Sequence, residues 1–269
     1  MKFIQITDPH LVTPGELLHG LNPYDRLSRC IDDINQHHGD AELCVITGDL
    51  AHLGSIEAYV GLKECLSHLD IPFSLLIGNH DKRHMMKKVF PDQSTDSNNF
   101  FQGSRNMRVG TFLFLDTVEE SKDWGSYCDL RLAWLNQSLK NCLHTFVYIF
   151  MHHPPFNVQI PCLDRIGLGN DGNKIGNLFT QYGNIRHIFF GHVHRPVSGS
   201  WLGIPYSTLR GTSHQTPLDF EAIDVVPKSH EPPAYAIVFL TEDQTTVHFH
   251  DYLDKSRIVY NKKTDGKTK

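Results

Sequence analysis

The chain has 269 residues, 40% of them hydrophobic and 20% charged, with a formal net charge of -5 at pH 7, which suits a globular protein burying one large core or two small ones. With no basic surplus or basic tract, extended nucleic acid is a poor default partner, and no apolar run approaches a membrane span, so integral membrane contact is not expected. A small anionic substrate stays open, because a metal site can supply positive charge locally.

The N-terminus, "MKFIQITDPH", has neither an apolar h-region nor a small-residue cleavage site. It reads as a strand over Lys2 to Thr7 that breaks at Asp8-Pro9-His10, since the residue before proline avoids the α region. A loop leads to Asn22-Pro23, an N-cap and N1 pair, after which Leu27, Cys30, Ile31 and Ile34 recur at helical spacing. Glu42 to Thr47 ("ELCVIT") predicts a strand ending at Gly48-Asp49. Ser55 caps a second helix that carries Ile56, Tyr59, Val60, Leu66 and Leu69. Pro72 to Ile77 is a third strand, ending at Gly78-Asn79-His80-Asp81. Arg108 to Asp116 holds the strand "TFLFLD", and Asp129 to Cys142 a helix with Leu132, Leu135 and Leu139. Thr145 to Met151 is a buried strand ending at His152-His153-Pro154-Pro155, and His187 to Phe190 stops at Gly191-His192-Val193-His194. Strand-like runs follow at Val197 to Leu202, Tyr206 to Leu209, Ala234 to Leu240 and Thr245 to Tyr252.

Mixed α/β first and β-rich later predicts two stacked sheets flanked by helices. The chain reads as a single domain over 1–260, with residues after about 215 as a small β-rich cap or dimerisation extension, and "NKKTDGKTK" at 261–269 as a solvated tail. Six cysteines, Cys30, Cys44, Cys65, Cys128, Cys142 and Cys162, lie without a CxxC pair and read as mostly buried thiols in a reducing cytoplasm.

Eighteen histidines against 25 lysines and arginines is the compositional anomaly, and neutral imidazole is the commonest metal ligand. Five apolar strands end in oxygen and nitrogen donors: Asp8 with His10, Asp49, Asn79 with His80, His152 with His153, and His192 with His194. In an open α/β sheet the carboxyl ends of strands are where sites are built. Each cluster alone has a turn or surface explanation. In "GHVH", an extended chain would put His192 and His194 on one face, which suits a metal and equally suits two solvated histidines on a sheet edge. Coincidence at every strand end is the harder explanation, because a core has no use for such a rim. A set of this size exceeds the demand of one catalytic ion, yet suits two ions sharing a carboxylate at roughly 3.5 to 4 Å. The absence of thiolates and the number of histidines favour Mn, Fe, Zn or Co over soft metals, Mg or Ca. His37-His38 fits a helix C-terminus; His248 and His250 share a strand face without a preceding buried strand.

Asp8-x-His10, Gly48-Asp49, Gly78-Asn79-His80-Asp81, His152 and Gly191-His192-x-His194, in that order, resemble the five-block motif of the calcineurin-like metallophosphoesterase superfamily. The chain is similar to its bacterial class III cyclic-nucleotide phosphodiesterases and, through "FMHHPP" and "GTSHQ", more so to the related glycerophosphodiesterases, over residues 1 to about 215. The resemblance implies a four-layer α/β/β/α sandwich of two mixed sheets. It implies two divalent, or mixed Fe and divalent, metal ions: the first on Asp8, His10, Asp49 and His194, the second on Asn79, His152 and His192, with Asp49 bridging. His80 would stand over the substrate phosphate as catalytic group, and His214 resembles a second substrate-side histidine. His153 would point away and be structural. The implied reaction is hydrolysis of a small phosphodiester, glycerophosphodiesters first, by in-line attack of a metal-bound hydroxide. Cyclic nucleotides are the rival substrate. Phe156, Val158 and Ile160 could form an apolar lid, which leaves open a lipid head-group diester and peripheral membrane contact. A non-catalytic scaffold or a nuclease fits less well, and residues after 215 suggest a homo-oligomer.

Overall fold

The structure is a computed structural model that describes residues 1–256; the expected tail at 261–269 lies outside them. In chain order the elements are β1 (Lys2–Ile6), α1 (Pro23–His38), β2 (Cys44–Thr47), α2 (Ile56–Leu66), β3 (Phe73–Leu76), α3 (Arg83–Val89), β4 (Gly103–Met107), β5 (Gly110–Phe114), α4 (Asp129–Asn141), β6 (Val147–Met151), α5 (Pro161–Asp164), α6 (Asn170–Tyr182), β7 (Ile185–Phe190), β8 (Val197–Trp201), β9 (Ile204–Thr208), β10 (Tyr235–Leu240) and β11 (Thr245–His250). They build two sheets, ordered β11-β10-β1-β2-β3 and β4-β5-β6-β7-β9-β8. Strands β1, β2 and β3 run parallel, with β3 at an edge, as do β5, β6, β7 and β9, while β10 and β11, β4 and β8 pair antiparallel at the other edges. Both sheets are therefore mixed, as expected.

Strands β1, β2 and β6 are buried on both faces, which is why they read as continuous apolar runs. Alternation sorts their side chains into layers. Phe3, Val45, Phe112, Tyr148, Phe150, Phe189, Ala236 and Val238 fill the space between the sheets. There Phe3 meets Phe112, Phe150 and Phe189 edge-on at 5.3, 5.6 and 5.3 Å, contacts worth about 0.5–1.5 kcal/mol each beyond area burial. Their neighbours Ile4, Ile6 and Ile46 pack outward against Leu27, Ile31 and Ile34 of α1 and Tyr59 and Leu62 of α2. Val147, Ile149 and Ile188 pack outward against Leu135 and Leu139 of α4 and Ile175 and Phe179 of α6. Helix, sheet, sheet and helix follow in order.

The predicted helix starts hold. Asn22 Oδ1 accepts from the N–H groups of Tyr24 and Asp25 at 3.0 and 3.3 Å, and Ser55 Oγ from that of Ala58 at 3.2 Å. By contrast, the stretch "GNDGNKIGN" carries no helical signal, yet α6 forms. Its glycines answer packing rather than propensity: a Cβ on Gly172 would overlap the Pro155 carbonyl, and one on Gly176 would meet the Trp201 ring. Phe156, Val158 and Ile160 make no lid. Val158 and Ile160 are buried in the core beneath the second sheet, and Phe156 packs on Phe190, Trp201 and Tyr206. Beyond 215 the chain first crosses as an irregular segment and then supplies β10 and β11 to the first sheet.

Asp116, just after β5, ties the two halves together. Its buried carboxylate accepts from Arg83 Nε and Nη2 at 2.8 and 2.7 Å and from the N–H groups of Phe101 and Val118 at 2.9 and 3.0 Å. The buried Arg131 donates to the carbonyls of Asp116 and Val118, both at 2.9 Å. Removing this carboxylate takes from the buried Arg131 its nearest anion and leaves Arg83 only the exposed Glu120 at 3.3 Å, and breaking a buried pair typically costs about 3–5 kcal/mol. Asp116→Ala should therefore lower the urea midpoint sharply, by a change of that size in unfolding free energy, whereas Arg108→Ala, which breaks only an exposed pair with Glu42, should shift it by less than about 1 kcal/mol.

Candidate metal centre

The parallel strands β1, β2, β3, β6 and β7 deliver their carboxyl ends to one edge of the sandwich, and the chain must turn at once to keep its polar groups there. At the ends of β1, β2 and β7 it does so through left-handed backbone. Asp8, His10, Asp49, His192 and His194 have φ of 50, 45, 49, 67 and 51°, a conformation costing roughly 1–2 kcal/mol for a non-glycine residue. Strain of this kind gathers where surrounding structure over-determines the backbone. The extended-chain argument for "GHVH" is thus overturned. β7 ends at Phe190, the N–H of Val193 donates to Gly191 O at 2.7 Å, and the two imidazoles leave the turn toward different neighbours.

One group is formed by Asp8, His10, Asp49 and His194, all buried, with a ligand atom from each within 4.8 Å of the others. His10 Nε2 lies 3.0 Å from His194 Nε2 and 3.3 Å from Asp49 Oδ2, and His194 Nε2 lies 3.4 Å from Asp8 Oδ1. A second group surrounds Asn79 Oδ1, which is 3.2 Å from His152 Nε2 and 3.1 Å from His192 Nδ1. Asp49 belongs to both, because its Oδ1 is 3.5 Å from His152 Nε2. The structure thus brings together all seven side chains expected as ligands.

Several features fit this set to cations. His152 Nδ1 is 2.8 Å from Thr47 O, and His194 Nδ1 is 2.8 Å from His214 O. A carbonyl can only accept, so each Nδ1 carries a proton and each Nε2 is the atom left facing the cluster, the arrangement usual for metal-ligating histidine. His192 Nε2 is buried with no hydrogen-bond partner. Asp8 is oriented by a chain of donors in which Gln5 Nε2 bonds Thr47 Oγ1, Thr47 Oγ1 bonds Thr7 Oγ1, and Thr7 Oγ1 bonds Asp8 Oδ2 at 3.2, 2.8 and 2.6 Å. Asp81 accepts from the N–H groups of Leu50, Ala51 and Gly78 and from Tyr59 OH at 3.0, 3.0, 2.8 and 2.8 Å, locking the loop after Asp49 to the loop that carries Asn79. The glycines before the ligands are packing requirements: a Cβ on Gly78 would overlap Asp49 Oδ1, and one on Gly48, at φ 97°, would overlap His152.

His80 stands at the edge of the cluster. Its Nδ1 is 2.7 Å from His52 O, its Nε2 4.0 Å from Asp49 Oδ2, and its side chain 32% exposed, facing the cleft. His214 is buried, with its ring 4.9 Å from that of His10 and 4.6 Å from that of His194. His153 departs from expectation: the chain bends after β6, so its ring turns to 4.6 Å from that of His192, while its Nδ1 meets Thr117 Oγ1 at 2.9 Å. Three participants escape sequence reasoning. His52 stacks on His80 at 4.8 Å and places its Nδ1 3.3 Å from His10 Nδ1; His19 lies edge-on to His214 at 4.7 Å; Lys228 lines the cleft. A hint for His52 was its place three residues after Asp49. His37, His38, His248 and His250 stay clear of the site, His250 beside Asp33.

The cleft over the cluster measures about 610 Å³, with Asp49, Asn79, His80 and His192 among its lining and Trp124, Leu163, Ile166, Ile223, Val225 and Val226 supplying apolar wall. A larger hollow of about 800 Å³ opens by Gly110, Thr145 and Phe146, at the amino ends of β5 and β6, and holds none of these groups.

The charges are strongly coupled. Burial works against the Asp49 carboxylate, yet His152, His80 and His10 hold it well below its usual range, and His194 and His152 likewise draw Asp8 down. Burial pushes His10 and His192 far toward neutrality. His152 goes the other way: burial alone would depress it, but Asp49 and Asp8 lift it to about 9 from an ordinary 6.5. A group that titrates higher folded than unfolded stabilises fully below its unfolded pKa and ceases to do so as pH passes its folded one. Metal-free protein should therefore lose stability between about pH 6.5 and 9, whereas metal affinity should rise over the same window as the His152 proton leaves Nε2. Thermal melts with and without Mn across that range would show opposite slopes.

Known proteins can now be compared. The calcineurin-like phosphoesterase family matches residues 1–196. The chain is 38% identical over 251 residues to a probable cyclic nucleotide phosphodiesterase of Rhodopseudomonas palustris, covering 92% of this chain and 91% of the relative. It is 28% identical over 258 residues to a probable glycerophosphodiester phosphodiesterase of Arcobacter nitrofigilis, covering 95% and 94%. Both alignments run past residue 215, so the expected limit of the resemblance there is too early. A dimetal phosphatase from Danio rerio shares the fold with a TM-score of 0.72 at 16% identity, over 94% of this chain and 96% of that one. Because the matched span holds all seven clustered side chains, from Asp8 to His194, the chain belongs to the calcineurin-like phosphoesterase family.

Proposed function

We propose that the chain is a dinuclear metal-dependent phosphodiesterase acting on small diesters. The observation that carries this reading is Asp49, whose two oxygens face different clusters of donors, His10 at 3.3 Å and His152 at 3.5 Å. Asp8, His10, Asp49 and His194 would hold one ion, and Asp49, Asn79, His152 and His192 the other. Donors of this kind suit Mn, Fe, Zn or Co. Two such cations, when bound, neutralise phosphoryl oxygens and lower the pKa of a water at the site.

The chain's own residues do the rest. His80, anchored by Nδ1 on His52 O, keeps Nε2 at the cleft, where it can bind the phosphate and donate a proton to the departing alkoxide. His214 would flank the same phosphate. The hydrogen bonds of Asp81 and of the Thr7–Thr47 chain fix the donors before substrate arrives, so little reorganisation remains for the reacting complex.

The substrate we favour is a glycerophosphodiester, supported by likeness to the Arcobacter relative along nearly the whole chain. A cyclic nucleotide is the second reading. It draws on the Rhodopseudomonas relative and on Trp124, 47% exposed in the cleft wall, an aromatic face on which a base could stack. Free cysteines, four of them buried, accord with a cytoplasmic protein, and exposed Leu218, Phe220, Ile223 and Val225 with a homo-oligomer. With the apolar lid residues packed into the core, no observation favours a lipid diester or peripheral membrane contact.

Purified protein should bind about two equivalents of metal by elemental analysis, and the Mn form should cleave glycerophosphocholine or glycerophosphoethanolamine faster than cyclic AMP or a phospholipid. Two bound equivalents with no diester cleaved would refute the enzyme reading, and preference for cyclic AMP would select the second one. His80→Ala should lower kcat by roughly 10²- to 10⁴-fold at unchanged metal content. Asn79→Ala should instead lose metal, and full activity in that variant would sink the second site.

A further inference from the structure

Lys228 lies in the irregular segment between β9 and β10, far in sequence from every proposed ligand, yet it lines the same cleft as Asp49, Asn79, His80 and His192. Its placement is structurally enforced. Ser229 and Gln215 exchange backbone hydrogen bonds at 2.8 and 2.9 Å, which sets Lys228 next to the turn that carries His214. On its other side, His230 Nε2 meets His19 O at 2.8 Å, and Glu231 lies 3.4 Å from Arg195, the residue after His194. The segment is thus pinned to two loops of the histidine cluster. Among the described residues the ammonium has no hydrogen-bond acceptor; burial works against its charge, while Asp49, Asp8 and Asp123 act on it through space, the first two already engaged by histidines. A lysine held in the cleft wall without a hydrogen-bonded partner of its own is suited to an anion that comes and goes.

We propose that Lys228 is a phosphate-binding residue, its ammonium pairing with a non-bridging oxygen of the phosphoryl group in the cleft. The proposal rests on the phosphodiesterase reading and adds to it a contact made by the 216–231 segment rather than by the strand-end loops. It carries a consequence for the reaction: a phosphomonoester product, with more negative charge than the diester, should be held at least as tightly as the substrate. A charge-assisted hydrogen bond of this kind corresponds to about tenfold or more in affinity.

Inorganic phosphate is the probe. Calorimetric titration of the Mn-loaded protein should show Lys228→Ala binding phosphate about tenfold or more weakly and Lys228→Arg keeping most of the affinity, with two equivalents of metal in all three proteins. On bis(p-nitrophenyl) phosphate, Lys228→Ala should raise KM and the inhibition constant of phosphate together, with a smaller change in kcat. Native phosphate affinity in Lys228→Ala overturns the proposal. So does loss of metal from that variant, which would make the lysine a support of the cluster instead. Because calorimetry needs no turnover, a protein that binds phosphate through Lys228 but cleaves no diester would refute the diesterase reading and leave this contact standing.

Discussion

Two buried carboxylates set among imidazoles are the constraint on which this structure depends. Asp8 and Asp49 lie in the same desolvated cluster, and each raises the cost of ionising the other. Buried like charges persist only when opposite charge surrounds them. Without metal the protein can offer His152, the one imidazole of the cluster lifted well above its ordinary range, and a single proton is a thin counterweight to two carboxylates. The donor set is therefore completed by cations from outside, and the surrounding fold is arranged so that cations find oxygen and nitrogen lone pairs already aimed at them.

The arrangement is made by geometry first and by hydrogen bonds second. Parallel strands from two stacked sheets reach the same edge, and left-handed turns at Asp8, His10, Asp49, His192 and His194 let three of them present side chains there. The core has the stability to hold that strain: its middle layer is an aromatic cluster centred on Phe3, directly beneath the strand that ends at Asp8. Between core and site lie Gln5, Thr47, Thr7 and Asp81, polar and buried, whose bonds settle which atom each ligand presents. These residues do not line the cleft, but a rotation of Asp8 or of the Asn79 loop would separate the two halves that Asp49 joins.

Much of this was legible in the sequence because it is local. An apolar run followed by glycine and a ligand is visible in any single block, and the agreement of five blocks carried both the fold and the ligand set. Where the reading went wrong, it had extended a local rule past its range. The extended-chain argument for "GHVH" carries strand geometry past Phe190, whereas Gly191 begins a turn in which the two histidines diverge. Phe156, Val158 and Ile160 looked like a loose apolar loop because their partners, Phe190, Trp201 and Tyr206, come later in the chain. The helix α6 was hidden because Gly172 and Gly176 obey close approach to Pro155 and Trp201 rather than helix propensity. His52 and Lys228 reach the site through the bridges Leu11↔Ala51 and Gln215↔Ser229, pairings that no spacing along the chain announces.

The contrast between what was legible and what was not also divides the site by function. Its floor comes from strand ends, where period, glycine and donor lie within a few residues, and these donors would hold the metal ions that supply a phosphoesterase with its positive charge. Its wall comes from the loop around Trp124, the short helix α5 and the segment 216–231, none of which has a pattern of its own. The wall has the side chains that tell one diester from another, an aromatic face, aliphatic rim and a lysine. A diester's phosphate is the same whatever its two alcohols, so a floor that recognises phosphate cannot distinguish glycerophosphocholine from a cyclic nucleotide. On the proposed reading, substrate choice would fall to the cleft-lining residues between Asp123 and Lys228 that lie outside the strand-end blocks.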